Sequence, residues 1–237
     1  MSYKYIIFDI DDTLLNYLED KRNALINTLN DCNIQYNDKL FDIYYKICWD
    51  EWYKFGLDNS SEVYIQENYH LLYNQYTINS LIKFKEVINI NTPDEKLCQL
   101  FLNNFSKSCN LNKNVEKICK TLKNDYKLYI ASNGLSRVQL SRIDKIKNYF
   151  DDFFISESIG NIKPSNKFYS YILNKLSIGD ASECLMIGDS LDCDILGANN
   201  IGMDTCWYNS KHIEENRTGI IPTYEIFDFD EIIKIIN

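Results

Sequence analysis

The feature that most constrains the fold of this 237-residue chain is a short apolar run near its start that ends in carboxylates. The run Tyr5–Phe8 is rich in β-branched and aromatic residues, which is typical of a strand buried on both faces of a parallel sheet. Asp9 and Asp11 follow it, and side chains two residues apart in an extended chain point the same way. Because ligand sites in open α/β sheets lie just outside the carboxyl ends of strands, this pair is the first candidate site. A solvated acidic turn is the alternative interpretation.

The second part of the chain alternates short apolar strands with helices, which indicates a parallel, doubly wound (Rossmann-like) sheet in an α/β fold. After Tyr5–Phe8, the predicted strands are Leu128–Ala131, Phe153–Ile155, Cys184–Ile187, Thr205–Trp207 and, at one edge, Tyr224–Ile226. The predicted helices run from Pro93 to Lys107 and then over Val115–Leu122, Leu135–Lys147, Asn166–Leu176, Asp194–Asn199 and Asp230–Ile236.

Residues 16–92 interrupt this alternation. Apolar residues recur there at helical spacing, and Gly56 is the single glycine of the segment. A turn is predicted at 57–61, with Ser60 or Ser61 as the N-cap of the next helix. The sequence therefore predicts a helical domain over 16–92, inserted after the first strand, and a core domain formed by 1–15 and 93–237.

Charge and cysteine usage exclude several classes of protein. A formal net charge of −9 argues against a nucleic-acid binder, which would carry a basic face. No run approaches the ~20 apolar residues of a membrane helix, and the start shows no signal-peptide pattern. The eight cysteines form no C-x-x-C pair, so we expect reduced thiols in a cytoplasmic protein. The sequence does not indicate an oligomeric state.

Polar residues at three strand ends predict one site for a phosphate and a metal ion. Asp9 and Asp189 offer the hard oxygen ligands that suit Mg²⁺. Ser132, with the neighbouring backbone of Asn133, and Lys163 offer donors and positive charge to phosphate oxygens. A carboxylate beside a metal can also act as a nucleophile and form an acyl phosphate. Each motif alone is also compatible with an ordinary turn or helix start.

These motifs resemble those of the haloacid-dehalogenase-like hydrolases with a helical C1-type cap. The matching stretches are Asp9–Leu14, Ser132–Gly134, Lys163–Pro164 and Gly188–Asp194. The resemblance implies an aspartyl-phosphate mechanism and a magnesium cofactor. It makes Asp9 the nucleophile and Asp11 the general acid and base, with the Asp11 backbone carbonyl on the metal. It further implies that Ser132 and Lys163 hold the phosphate, that Asp189 is a metal ligand, and that Asp194 supports the water shell of the metal.

A narrower similarity is to the bacterial pyrimidine 5′-nucleotidases. The stretches Ser132–Gln139, Phe154–Gly160 and Asp194–Asn199 carry it, together with the pair Trp49 and Gly56. It implies a nucleoside 5′-monophosphate as the small-molecule substrate. A phosphoglycolate or sugar-phosphate phosphatase is the sibling alternative. Dehalogenase chemistry has no use for an acid/base at Asp11, and a catalytically silent binding protein has no need of the full set of site residues.

Three aromatic residues of the cap are candidates for substrate selectivity. Trp49, Trp52 and Tyr53 lie on one predicted helix, where residues three and four apart are neighbours. At least one of them is expected to stack on the nucleobase. Packing inside the cap is the alternative interpretation for each.

Overall fold

The structure is a computed structural model, and it describes residues 3–214 and 219–236. The chain divides into two compact units, one formed by Met1–Asn16 with Asn110–Asn237 and the other by Tyr17–Cys109. The first unit contains the sheet and the second is helical. None of the helices in the described ranges is long and apolar enough to cross a membrane.

The described part of the sheet unit contains six parallel strands in the order β3-β2-β1-β4-β5-β6. The strands are β1 (Tyr5–Phe8), β2 (Lys127–Ser132), β3 (Asp152–Ile155), β4 (Cys184–Gly188), β5 (Asp204–Tyr208) and β6 (Tyr224–Ile226). This order confirms the predicted doubly wound α/β fold, and it puts β1 at the centre between β2 and β4.

The helical unit contains α1 (Tyr17–Asp31), α2 (Asp38–Lys54), α3 (Val63–Ile88) and α4 (Asp94–Lys107). Asn37 caps α2 by accepting a hydrogen bond from the Leu40 backbone N–H. At α3 the prediction of a serine cap was wrong, because Glu62 occupies the N-cap position and its side chain makes no capping bond. Similarly, Pro93 is the N-cap of α4 and not its first helical residue.

The helical unit ends at Cys109, whereas the sequence placed its end at residue 92. The difference is α4, which packs on α1 inside the helical unit. Its apolar face contributes Phe105, which meets the ring of Tyr17 edge to face at 5.8 Å, and Phe101, which contacts Tyr44 at 5.5 Å. The Thr92-Pro93 break starts this helix without ending the unit.

The remaining helices surround the sheet: α5 (Val115–Leu122), α6 (Ser136–Arg142), α7 (Ser156–Ile159), α8 (Asn166–Lys175), α9 (Gly197–Asn199) and α10 (Ile232–Ile236). Short 3₁₀ turns lie at Lys147–Tyr149, Ala181–Glu183 and Phe229–Glu231, and a wider π-helical turn at Leu191–Leu196 leads into α9. The helix predicted over Leu135–Lys147 is therefore shorter, since it ends at Arg142.

Both faces of the sheet are buried, as a doubly wound fold requires. Ile7 on β1 belongs to a cluster with Phe168 and Ile172 of α8. The next residue, Phe8, points to the opposite face and stacks on Phe229 at 6.0 Å. The last three residues of β1, Ile6 to Phe8, are thus fully buried, and the first polar residue after them is Asp9.

Candidate active site

The carboxyl ends of the three central strands supply the predicted site residues. Asp9 directly follows β1, and its backbone N–H donates to the Ile187 carbonyl of β4 at 2.9 Å, which continues the ladder by one residue. Ser132 is the last residue of β2, and Asp189 follows the last residue of β4. Since β1 lies between β2 and β4, their polar residues come together at one edge of the sheet.

Lys163 connects the carboxylates of this edge. Its ammonium donates to Asp9 Oδ1 at 2.6 Å, to Asp194 Oδ1 at 2.7 Å and to the Ala131 carbonyl at 2.9 Å. These three bonds use all the donors of an ammonium group. Burial by itself would lower the pKa of Lys163, but Asp194 and Asp9 raise it well above its ordinary value. Lys163 is therefore a permanent buried cation.

Asp9, Asp189 and Asp194 form an acidic triad whose carboxylate oxygens lie within 4.8 Å of one another. Burial, followed by the charges of Asp194 and Asp11, raises the pKa of Asp9 to about 7 despite the opposing effect of Lys163. Burial and the neighbouring Asp9 likewise raise the pKa of Asp189 well above its ordinary value. The crowding disfavours full ionisation of the triad unless a further cation is present.

The triad fits a hard divalent cation. Lys163 forms ion pairs with Asp9 and Asp194, and the charge of Lys211 acts on Asp189 without outweighing the effect of burial on its pKa. The Asp189 carboxylate accepts no hydrogen bond from any residue in the described ranges. The donors are all oxygen atoms, which Mg²⁺ and Ca²⁺ prefer. The structure therefore provides a buried acidic site that could hold a metal ion.

A glycine lets Asp194 join this group. A Cβ atom at Gly188 would lie 2.2 Å from Asp194 Oδ2, so only glycine leaves room for the carboxylate at this position. The same oxygen accepts the Ser190 backbone N–H at 3.1 Å. The sequence placed Asp194 in support of a water shell, and the structure brings it as close as the other two members of the triad.

The Asp11 carboxylate is held by two residues that the sequence analysis did not assign to the site. Its carboxylate accepts hydrogen bonds from Arg142 Nη1 at 2.5 Å and from Gln139 Nε2 at 2.8 Å. Gln139 Nε2 also donates to Ser132 Oγ at 2.8 Å. The available signal was two long polar side chains three residues apart on α6, immediately after the Ser132–Gly134 motif.

The Asn133 side chain is used to fix Lys163. Its amide donates to the Lys163 carbonyl at 3.0 Å and accepts the Lys163 backbone N–H at 2.8 Å. These two hydrogen bonds connect the loop after β2 to the segment that carries Lys163. Any contact of Asn133 with a phosphate is therefore left to its backbone.

The three candidate aromatic residues of α2 do not form one group. Trp52 packs edge-on against Tyr76 at 5.3 Å, inside the helical unit. Trp49 and Tyr53 are 44% and 60% exposed and stack on each other at 5.7 Å. Trp49 and Tyr53 thus keep an exposed aromatic surface, whereas Trp52 has a packing role.

The helical unit also buries a cation that the sequence analysis missed. Lys21 donates to the Tyr76 hydroxyl at 2.9 Å and lies over the rings of Tyr17 and Tyr44 at 5.3 and 5.8 Å. No carboxylate of the described residues comes within 4.0 Å of its ammonium. The adjoining cavity of about 20 Å³ has room for one water molecule.

The sequence of the site matches a known family of enzymes. The family model for haloacid dehalogenase-like hydrolases matches residues 3–202, which include every residue of the site described above. The chain belongs to this family. The prediction of a phosphatase-type enzyme with this fold is thereby confirmed.

Relatives of known name resemble the chain over its full length. Pyrimidine 5′-nucleotidase YjjG of Escherichia coli (strain K12) is 26% identical over 239 residues, covering 100% of this chain and 99% of the relative. Pyrimidine 5′-nucleotidase PynA of Streptococcus pneumoniae is 28% identical, covering 100% and 96%. Among solved structures, the putative hydrolase YfnB of Bacillus subtilis, crystallised with magnesium, superposes with a TM-score of 0.81 at 26% identity and full coverage of both chains.

Proposed function

We propose that this enzyme hydrolyses nucleoside 5′-monophosphates, pyrimidine nucleotides foremost, through an aspartyl-phosphate intermediate. The observation that carries the proposal is the buried Asp9, paired with Lys163 through one oxygen and grouped with Asp189 and Asp194 in the acidic triad. The full-length similarity to two pyrimidine 5′-nucleotidases supports the substrate class, because the alignment includes the helical segment and not the core motifs alone.

In the first step, the second oxygen of Asp9 attacks the phosphorus atom. The bond from phosphorus to the ester oxygen breaks, and Asp11 gives its proton to that leaving oxygen. Lys163 keeps the buried Asp9 near a positive charge throughout. Ser132 accepts a hydrogen bond from Gln139 and donates only a long one, of 3.4 Å, to the Asn133 carbonyl. The hydroxyl can exchange that weak bond for a shorter one to a phosphate oxygen.

In the second step, water attacks the aspartyl phosphate. Asp11 takes a proton from the water, the bond from phosphorus to Asp9 breaks, and inorganic phosphate leaves. Both carboxyl groups return to their starting states. The two steps use one group as acid and then as base, as microscopic reversibility requires.

We infer that Mg²⁺ is the cofactor, held by Asp9, Asp189 and Asp194 together with the backbone carbonyl of Asp11. When bound, it would neutralise the crowded carboxylates and the phosphate charge and would orient the two for reaction. The oxygen-only donor set and its shortage of positive charge support this assignment.

Selectivity for the nucleoside is proposed to come from the helical unit, because the core motifs offer groups for the phosphate alone. The exposed pair Trp49 and Tyr53 is the better candidate for base stacking, and Trp52 serves the packing of the unit. The eight cysteines, all free thiols, support a reducing compartment, which we take to be the cytoplasm.

The proposal is tested by a phosphatase screen of the purified enzyme. The panel contains pyrimidine and purine nucleoside monophosphates, sugar phosphates and phosphoglycolate, each with Mg²⁺ and with EDTA. We expect the highest kcat/KM on a pyrimidine nucleoside monophosphate, with loss of turnover in EDTA and recovery with Mg²⁺. A preference for phosphoglycolate or a sugar phosphate would replace the substrate assignment, and full turnover in EDTA after metal removal would contradict the metal site.

A further inference from the structure

Helix α6 carries two polar side chains into the interior. Gln139 is 3% exposed and Arg142 is fully buried, the largest side chain of the described residues to be so. Residues three apart share one face of a helix, and this face is directed at Asp11 and Ser132. Burying an amide and a guanidinium is costly unless their hydrogen bonds are made. Their contacts therefore indicate what the pair is retained for.

The side-chain amide of Gln139 forms hydrogen bonds with three different residues. One N–H of Nε2 donates to Asp11 Oδ2 and the other to Ser132 Oγ, both at 2.8 Å. Its carbonyl oxygen accepts from Arg142 Nη1 at 2.9 Å. Turning the amide over would place its carbonyl against the Asp11 carboxylate and its N–H groups against the guanidinium. The neighbouring charges thus permit a single orientation of the amide.

This orientation determines the geometry of two groups of the reaction. Each oxygen of Asp11 receives one donor, from Arg142 and from Gln139, which fixes the plane of the carboxylate. Ser132 receives its hydrogen bond from the same amide, so the amide links the acid/base group to the phosphate-holding hydroxyl. A shift in one of them is transmitted to the other through a single planar group.

We propose that Gln139 and Arg142 are positioning residues that hold the Asp11 carboxylate and the Ser132 hydroxyl in one fixed arrangement for phosphoryl transfer. The proposal rests on the function proposed above and adds two residues to its machinery. Arg142 acts through Gln139 and Asp11 and is not itself placed on the substrate.

The turn before α6 helps to fix the position of the Gln139 side chain. Gly134 has a φ of +151°, and a Cβ atom there would lie 3.1 Å from Gln139 Cγ. A side chain at residue 134 would therefore be strained and would press on Gln139. The absence of a side chain at Gly134 leaves the space that Gln139 occupies.

The test compares Gln139→Met with Arg137→Met, an exposed residue of the same helix. For each variant, kcat/KM is measured on a nucleoside monophosphate, whose leaving alkoxide needs a proton, and on p-nitrophenyl phosphate, whose leaving phenolate does not. Since kcat/KM covers the steps up to release of the alcohol, it reports on Asp11 as an acid. We expect Gln139→Met to lose about 100-fold on the nucleotide and at least tenfold less on p-nitrophenyl phosphate, and Arg137→Met to lose little on either.

Arg142→Lys and Arg142→Met provide the second comparison. The lysine keeps a cation for Asp11 and Gln139, so it should retain more of the nucleotide activity than the methionine variant. Equal losses on both substrates, or equal behaviour of the lysine and methionine variants, would reduce the pair to structural residues and overturn the proposal. If Arg142→Met fails to fold, Gln139→Met alone decides through its substrate split.

A stability measurement separates this proposal from the function it rests on. Thermal unfolding of Asp11→Asn, Gln139→Met and the double variant tests the contact without catalysis. We expect the double variant to lose clearly less stability than the sum of the losses in the two single variants. Additive losses would show that the amide does not hold Asp11. A wild-type enzyme inactive on every phosphate ester would instead count against the proposed function, whatever the outcome of the cycle.

Discussion

Asp9 is the residue on which the proposed chemistry depends most directly. Its carboxylate is buried, is paired with Lys163 through one oxygen and has a raised pKa of about 7. Asp9→Asn keeps the shape and removes the nucleophile, so we expect turnover to fall by at least ~10³. The melting temperature of the metal-free variant should stay level or rise, because one member of a crowded set of acids becomes neutral.

Steady-state kinetics on p-nitrophenyl phosphate and thermal unfolding in EDTA measure the two effects on one preparation. Near-normal turnover by Asp9→Asn would end the covalent mechanism. Asp152→Asn, a change at the opposite end of a strand, is the matched control and should leave turnover unchanged.

The sequence predicts the location of a side chain where its position in the chain already implies its surroundings, while its role in the reaction stays a prediction. Asp9, Ser132 and Asp189 stand where buried apolar strands end, and the ends of neighbouring parallel strands meet. The sequence gives no comparable signal for Gln139 and Arg142, because long polar side chains on a helix are usually solvated. Their burial depends on what α6 packs against, which the local pattern does not contain.

At the scale of elements, a buried glutamate joins two helices of the helical unit. Glu51 on α2 is 1% exposed and forms ion pairs with Lys83 of α3 and with Lys54. Burial raises the pKa of Glu51, but the bond and charge of Lys83 outweigh it and hold the pKa below its ordinary value. A carboxyl with a lowered folded pKa stabilises the fold above its unfolded pKa, and this stabilisation is lost as the pH falls through the folded value.

We therefore expect Glu51→Gln to lower the free energy of unfolding by about 1–2 kcal/mol at neutral pH. The value is kept small because solvent screens the two half-exposed lysines. The difference from wild type should shrink as the pH falls below about 4. Glu67→Gln, an exposed glutamate of α3, is the control and should change little at either pH. Thermal unfolding across this pH range gives the measurement, and a constant difference between Glu51→Gln and wild type would contradict the ion-pair explanation.

The aromatic residues of α2 allow packing and selectivity to be separated. Trp52 meets Tyr76 and Tyr73 within the helical unit, so Trp52→Ala should destabilise the enzyme by roughly 2–4 kcal/mol. Trp49 is half-exposed on Tyr53, so Trp49→Ala should cost much less stability. If Trp49 stacks on the base, its removal should lower kcat/KM on nucleoside monophosphates about ten- to hundred-fold and spare p-nitrophenyl phosphate.

Kinetics on both substrates, together with the melting temperature of each variant, test this division of roles. A folded Trp49→Ala enzyme with unchanged preference would remove the support that α2 gives to the nucleotide assignment. Tyr64→Ala, an exposed aromatic residue at the start of α3, provides a control for nonspecific loss of surface rings.

The elements themselves were predictable where one period dominates the sequence. The short apolar run of β4 is buried throughout and that of β1 is buried from Ile6 to Phe8, and both could be assigned as strands from their composition. The boundary of the helical unit was not predictable, because α4 follows a Pro93 break and joins the unit only by packing its aromatic face on α1. A local breaker ends a helix, but tertiary contacts decide to which unit the next helix belongs.

At the scale of the whole molecule, the acidic triad links stability to pH and to metal. The folded pKa of Asp9 is raised to about 7 and that of Asp189 is also raised, so the native state holds protons that the unfolded chain has released. Stability of the metal-free enzyme must then fall as the pH rises from about 4 through 7, since the unfolded state binds fewer protons over that interval. A divalent cation in the triad removes the repulsion that causes this loss, and it binds best when the carboxylates are ionised.

We therefore expect Mg²⁺ to raise the melting temperature at about pH 8 by several degrees more than at about pH 5, relative to EDTA at each pH. Differential scanning fluorimetry at the two pH values, with and without Mg²⁺, measures the effect. Asp189→Asn should lose most of the Mg²⁺-dependent shift, because it removes the one carboxylate of the triad that accepts no hydrogen bond from the described residues. Asp192→Asn, three residues on, lies outside the triad and should keep the shift. Stabilisation by Mg²⁺ that is equal at both pH values, or that survives Asp189→Asn, would show that the ion binds elsewhere and would leave the triad without its proposed occupant.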